Sequence, residues 1–297
     1  MSKFIIDHET QESEGGEADL QKCLDRCKKN PGHGQFIPVD TFTLKHLPEG
    51  HQDNDLFELI KATADLTVRV DVKLISPPKL KTGSGSVWFV NKFHDGVIQD
   101  GVHGHTDYTK CWCRKCQDSN SPSKVWWEFS VYTATHVIFD VQENQTSLRL
   151  FYDRDDSPVI SVNDVRIVDK DNDSDRCELK CVTCDRNIGN KLLKMCKLYE
   201  NIWKNVFTRY SASKSKHRIN FIVSHPHGCS KQVSVGQWKD RLEEGDGTRF
   251  TYTTCTCPGS SGAHVQCIGY DGDRLWYNLI HSRSLHSGLN GSAFGYH

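Results

Sequence analysis

Short alternating and apolar runs dominate this chain, and helical spacing is confined to a short stretch that puts Cys23 and Cys27 on one face and to two clearer ones. Thr67-Val68-Arg69-Val70-Asp71-Val72 carries the two-residue period of a strand with one buried face. Val125 to Phe129, Leu148 to Tyr152, Val159 to Val168, Arg218 to Val223 and Val265 to Ile268 read as further strands. Residues 55–62 predict a short helix. Residues 186–209 predict a longer amphipathic one, with Ile188, Leu192, Met195, Tyr199, Ile202, Trp203 and Phe207 near one face. Pro77-Pro78 breaks the pattern before Gly83, and 211–216 is a solvated basic loop. The organisation that follows is an N-terminal extension over 1–50, partly disordered, then a first β unit over 51–185 with a cysteine-rich insertion at 91–124. A helical linker over 186–217, a second β unit over 218–285 and a mobile tail over 286–297 complete it.

Composition narrows the classes. The 297 residues carry a net charge of −1, which gives no bulk electrostatic attraction to nucleic acid or to a membrane surface. The opening Met1 to Glu9 has no long apolar core and is not a secretory signal, and no run approaches the ~20 apolar residues that span a bilayer. The chain as given reads as cytoplasmic. Thirteen cysteines in a reducing compartment point to free thiols or metal rather than disulfides.

Candidate chemistry centres on Thr254-Cys255-Thr256-Cys257-Pro258-Gly259-Ser260-Ser261-Gly262-Ala263-His264-Val265. Glycines on both sides of a serine allow a sharp turn that aims amides and a hydroxyl into one space. A serine nucleophile needs that, and also an oriented base. Upstream, Tyr132-Thr133-Ala134-Thr135-His136 resembles the Thr-Ala-Ala-His segment of trypsin-like serine peptidases, and Asp175 to Leu179 resembles their Asp-x-x-x-Leu strand, with Asp173 the lesser register. Gly83-Ser84-Gly85 resembles the opening of the second strand in that family. Ser224-His225-Pro226-His227-Gly228 resembles a Gly-x-Pro-x-Gly turn of its bacterial-type members. The order His136, Asp175, Ser261 is that of chymotrypsin and not of subtilisin or the α/β-hydrolases.

The resemblance covers about residues 65–285 and implies an all-β fold of two six-stranded antiparallel barrels, with the inter-barrel helix and the cysteine-rich insertion added. It implies a serine endopeptidase acting on protein or peptide substrates without a catalytic cofactor. Ser261 would be the nucleophile, His136 the base and Asp175 its orienter, with the amides of Gly259 and Ser261 as oxyanion hole. The specificity pocket would begin near Cys255, where no acid stands, so a small or apolar preference is implied. Leu275 to His281 would be the strand beside which substrate pairs. Ser260 stands where digestive members carry aspartate, and His264 where a proline is usual.

Cys113-x-x-Cys116 and Cys181-x-x-Cys184 have the spacing of paired zinc knuckles. If His136 and Asp175 end neighbouring antiparallel strands, both pairs lie at the far ends of those strands, where they would form a structural zinc site. Cys111, His103 and His105 are substitute ligands, and Cys177 is expected to face the core. His225 and His227 read first as exposed imidazoles on a proline turn, and second as a metal pair. Two other functional classes fit the same residues: a pseudoprotease whose cleft binds peptides without cutting them, and a zinc-organised peptide-binding adaptor. The extension over 1–50 would dock a partner or cover the cleft.

Overall fold

The computed structural model describes residues 7–101, 106–138, 145–245, 247–270, 279–285 and 287–296. In chain order the first strands are β1 (Asp7–His8), β2 (Gln11–Ser13), β3 (Ile37–Pro38), β4 (Thr67–Ile75), β5 (Pro78–His94), β6 (Val97–Asp100), β7 (Val125–Ala134), β8 (Thr146–Leu150) and β9 (Ile160–Val162). They continue with β10 (Val165–Asp171), β11 (Arg176–Thr183), β12 (Ile219–Ser224), β13 (Gln232–Glu244), β14 (Gly247–Tyr252), β15 (Val265–Cys267), β16 (His281–Ser284), β17 (Asn290–Ser292) and β18 (Gly295–Tyr296). The α-helices are α1 (Glu17–Asp25), α2 (Asn54–Leu66), α3 (Arg114–Gln117), α4 (Thr135–Ile138) and α5 (Arg186–Tyr210).

These strands form two nine-stranded antiparallel sheets. The first runs β10-β11-β7-β5-β4-β8-β9, with β2 and β6 also on β5. The second runs β1-β16-β17-β14-β13-β12-β15, with β18 on β14 and β3 on β13. The expectation of an all-β fold made of two closed six-stranded barrels is overturned. Among the described residues both sheets are open paths whose last strand does not pair back to the first, and helices take a large share of them. The 25-residue α5 runs on into a six-residue 3-10 segment, Ser211–Lys216.

The physical reason lies in the two amphipathic stretches. Asp53 caps α2 by accepting from Leu56 N–H at 2.9 Å, and Asp185 caps α5 through Asn187 and Ile188 N–H. Leu56, Leu59 and Ile60 of α2 and Leu192 and Tyr199 of α5 are fully buried in one core with Val70, Trp127 and Phe221. Burying a side chain of this size is worth about 1.5–3 kcal/mol, so the helices are core elements and not appendages on β units. At Gly189 the helix touches the first sheet so closely that a Cβ would stand 2.1 Å from the Trp127 ring. A smaller core of Ile222, Trp238, Phe250 and Val265 fills the second sheet.

Candidate active-site cleft and two metal clusters

The serine turn is built on positive-φ glycines. Gly259 has φ 94° and Gly262 φ 87°, and a Cβ on either would stand within 2.5 Å of backbone oxygen, from His225 and Ser84 respectively. Ser84 N–H donates to the Ser261 carbonyl at 2.8 Å, and Ser84 Oγ donates to the Gly259 carbonyl at 2.8 Å, so the Gly83-Ser84-Gly85 strand props the turn. Ser260 is tied to Ser224 Oγ at 3.0 Å. Ser261 is fully buried, and its Oγ has no hydrogen-bond partner among the described residues.

His136 sits in the single turn α4 that ends β7, and Asp175 immediately precedes β11. The pair Arg176↔Ala134 in the β7–β11 ladder brings them together. Asp175 accepts from His136 Nδ1–H at 2.8 Å, from the His136 amide at 3.1 Å and from Ser282 Oγ at 2.5 Å. Burial alone would raise the Asp175 carboxyl, but these donors hold it below the ordinary aspartate value. Burial pushes His136 below the ordinary histidine value despite the carboxylate beside it. Together these directions describe a neutral imidazole donating from Nδ1 to a carboxylate. Its Nε2 is buried and has no hydrogen-bond partner among the described residues, so it is not bonded to Ser261 Oγ.

The extension occupies the space beside these residues. β1 pairs antiparallel with β16, Asp7 opposite Ser284 and His8 opposite Arg283. The His8 ring stacks on His136 with centroids 4.2 Å apart. The Glu9 carbonyl accepts the Gly259 N–H at 2.8 Å. Two residues on, β2 pairs with β5, Gln11 opposite Thr82, so the segment bridges from one sheet to the other across the serine turn. The Glu9 carboxylate is buried against His281 Nε2 at 2.6 Å, Thr256 Oγ1 at 2.6 Å and Lys29 Nζ. Burial opposes its ionisation, yet His281 and Lys29 hold it well below the usual carboxylate range. Sequence reasoning missed Glu9, His281 and Thr256. A lone acid and a histidine 272 positions away share no spacing rule.

Cysteines and histidines gather at two places. In the first, Cys111, Cys113, Cys116 and Cys184 place their sulfurs within 4.8 Å of one another. Cys113 N-caps α3, which folds the 113–116 pair into a knuckle, with Cys116 N–H on the Cys113 carbonyl at 2.9 Å. Cys181 is elsewhere: it is buried in the main core on the same face of β11 as Cys177 and Leu179. An extended strand sends residues three apart to opposite faces, so 181 and 184 cannot wrap one ion as a knuckle does. Cys111 completes the set. The substitute ligands His103 and His105 lie outside the described residues.

The second cluster joins Cys27, His33, His227 and Cys257, again within 4.8 Å. Cys257 Sγ lies 3.5 Å from Cys27 Sγ and 3.5 Å from His33 Nε2. His227 donates from Nδ1 to Gln11 Oε1 at 2.8 Å, which leaves Nε2 as its ligating atom, buried and without a hydrogen-bond partner among the described residues. Burial lowers His227 to about 4, so it is neutral at pH 7 and able to ligate. His225 is not in the cluster and donates from Nδ1 to the Cys229 carbonyl at 2.8 Å. Cys255 packs beside Cys27 and Cys257 of the cluster, its thiol on Asn30 Oδ1 at 2.8 Å. The expected substrate-pairing stretch falls partly outside the described residues, at 275–278, and the strand that does pair begins at its end, His281. No described helix is long and apolar enough to cross a membrane.

No family model and no curated protein matches the chain. Among solved structures it is similar to the Rv3671c protease from M. tuberculosis in its active form, with TM-score 0.45 and 11% identity over 81% of this chain and 82% of that one. It is also similar to the HtrA-type protease AlgW with tripeptide, with TM-score 0.43 and 11% identity over 80% of this chain and 58% of that one.

Proposed function

We propose that this chain is a peptide-binding protein that holds an extended strand against β16 and seats a carbonyl on the Gly259 amide, in a scaffold tied by two zinc ions. The observation that carries this reading is the cleft's present occupant. Residues 7–9 add a strand to the edge of the second sheet and end with the Glu9 carbonyl 2.8 Å from Gly259 N. Strand addition to a free edge gives affinity through main-chain bonds and specificity through side-chain pockets. The zinc assignment follows from the donors: one set is four thiols, the other two thiols and two imidazoles, both usual for closed structural zinc.

A second reading, serine endopeptidase, is favoured by one specific observation. His136 and Asp175 form a hydrogen-bonded pair, and both His136 Nε2 and the Ser261 hydroxyl are buried without a hydrogen-bond partner among the described residues. In that reading Ser261 Oγ attacks the carbonyl seated at Gly259 while His136 Nε2 takes its proton and returns it to the leaving amine. Asp175 holds the imidazole tautomer, and the Gly259 amide stabilises the oxyanion.

The two readings separate in one experiment. The full chain carrying Glu9→Ala, which removes the side chain that locks the extension in place, and the same chain with Ser261→Ala added are treated with a fluorophosphonate probe, and their binding of a fluorescent peptide with the sequence of residues 5–10 is measured by anisotropy. Peptide binding by both proteins without labelling supports the binding reading. Labelling that depends on Ser261, with peptide cleavage, supports the peptidase. Neither binding nor labelling contradicts both.

A further inference from the structure

The pocket that holds the Glu9 side chain has a chemistry of its own. Its walls are His281 and Tyr252, both fully buried, with Thr256 and Lys29. Tyr252 O–H lies 2.7 Å from His281 Nδ1 and a carboxylate faces Nε2, so the neutral ring accepts at Nδ1 and carries its proton on Nε2. That proton points at Glu9 Oε2 at 2.6 Å. Thr256 O–H also donates to Oε2 at 2.6 Å, and Lys29 Nζ donates to Oε1. Lys29 is anchored in turn on Ser284 Oγ at 2.6 Å, on Asn290 Oδ1 at 3.0 Å and on Thr256 Oγ1 at 2.9 Å. Every polar group on the Glu9 carboxylate is therefore a donor, and one carries a full positive charge.

Such a pocket discriminates by charge and by length. A glutamine amide would turn its NH2 against at least one donor. A lysine would bring like charge to Lys29 inside a buried site. An aspartate, one methylene shorter, would fall short of His281. The pocket also has a fixed register. The residue that fills it is the one whose carbonyl meets Gly259 N, and the residue before it lies over His136 and pairs with Arg283. Side-chain pocket and main-chain amide thus read the same residue.

We infer that this pocket is a glutamate-recognition site, that the ligand class of the cleft is an extended peptide carrying a glutamate at that register, and that Glu9 fills it in cis as an internal ligand that excludes others. The inference rests on the peptide-binding reading and adds the specificity. A tethered occupant competes at an effective concentration in the millimolar range, so peptides in trans bind the unaltered chain weakly.

The test uses the full-length chain carrying Glu9→Ala, or Glu9→Gln if the alanine variant does not keep the circular dichroism and melting profile of the parent. A fluorescent peptide with the sequence of residues 5–10 is titrated by anisotropy beside peptides in which its glutamate is Gln, Asp or Lys. The expected result is that the glutamate peptide binds at least about tenfold more tightly than each of the others, and that it binds the unaltered chain at least about tenfold more weakly than the variant. In a Thr256→Val, Glu9→Ala chain the Glu-over-Gln preference should shrink while the Gln peptide keeps its affinity. Equal binding of all four peptides would overturn the glutamate pocket and leave peptide binding standing. Failure of a folded variant to bind any of them would overturn the peptide-binding reading and the pocket with it.

Discussion

The two clusters differ in their donors, four thiols against two thiols and two imidazoles, and differ more in what they join. Cys111, Cys113 and Cys116 come from one short loop and add Cys184 from just beyond β11, so that cluster pins the 91–124 insertion to the first sheet. Cys27 and His33 come from the extension, His227 from the proline turn and Cys257 from the serine turn. A metal ion in the second cluster would therefore fasten the extension that holds Cys27 and His33 to the serine turn. One ion would be a staple at the periphery, the other part of the latch on the peptide site.

The sharpest way to break that contrast is to remove one ligand from each. Cys257→Ser should lower bound zinc from about two per chain to about one, cost at least about 3 kcal/mol of stability and open residues 7–36 to limited proteolysis. Metal analysis with peptide mapping checks it. Cys184→Ser should also lose one zinc, with new cleavage confined to the 91–124 insertion and peptide affinity unchanged within about twofold. If Cys184→Ser exposes the extension as well, the two clusters are one cooperative unit and the contrast fails.

Cys181→Ser is the finer probe. Because Cys181 is buried in the core and not at the cluster, both metals should stay bound, and stability should fall by about 1–2 kcal/mol for placing a hydroxyl in an apolar site. Zinc loss in this variant would restore the paired-knuckle ligand set.

Acid gives the smallest expected effect. His136 and His281 are held neutral below the ordinary histidine value, in each case first by burial. Below about pH 6.5 the unfolded chain takes up protons at these positions that the folded chain resists, so it binds more protons and stability falls as pH drops. The contribution is fully present above pH 6.5 and is lost as pH falls toward the lower folded values. Denaturant titrations at pH 7.5 and 5.5 should give the lower midpoint at pH 5.5. An unchanged or higher midpoint would mean that these imidazoles are charged in the folded chain.

What the sequence shows and hides follows the range of each interaction. The spacing of Ile188 to Phe207 was legible as a helix because its period is local, and α5 spans Arg186–Tyr210. That α5 would pack into the main core with α2, and that the sheets would stay open, depends on tertiary contacts that no window of sequence contains. Cys113-x-x-Cys116 was readable because a knuckle is a local turn. The second pair looked the same as text, but its first member lies in an extended strand, so the rule that reads spacing as proximity did not hold there. Cys27, His33, His227 and Cys257 could not be gathered without the fold, nor could Glu9 and His281. His136 and Asp175 were proposed through motif resemblance, and their hydrogen bond depends on the β7–β11 register. The hydroxyl of Ser261 is implied by the same resemblance, and no hydrogen bond joins it to the imidazole among the described residues.

Asp7 and His8 form an edge strand on β16, and the Glu9 side chain that follows locks it in place. Hydrogen–deuterium exchange over residues 280–285, read by mass spectrometry in the full chain and in Glu9→Ala, tests it most directly. These amides should be protected in the parent and exchange at least about tenfold faster in the variant, while β12 is unchanged. Equal exchange over 280–285 in the two proteins would contradict it.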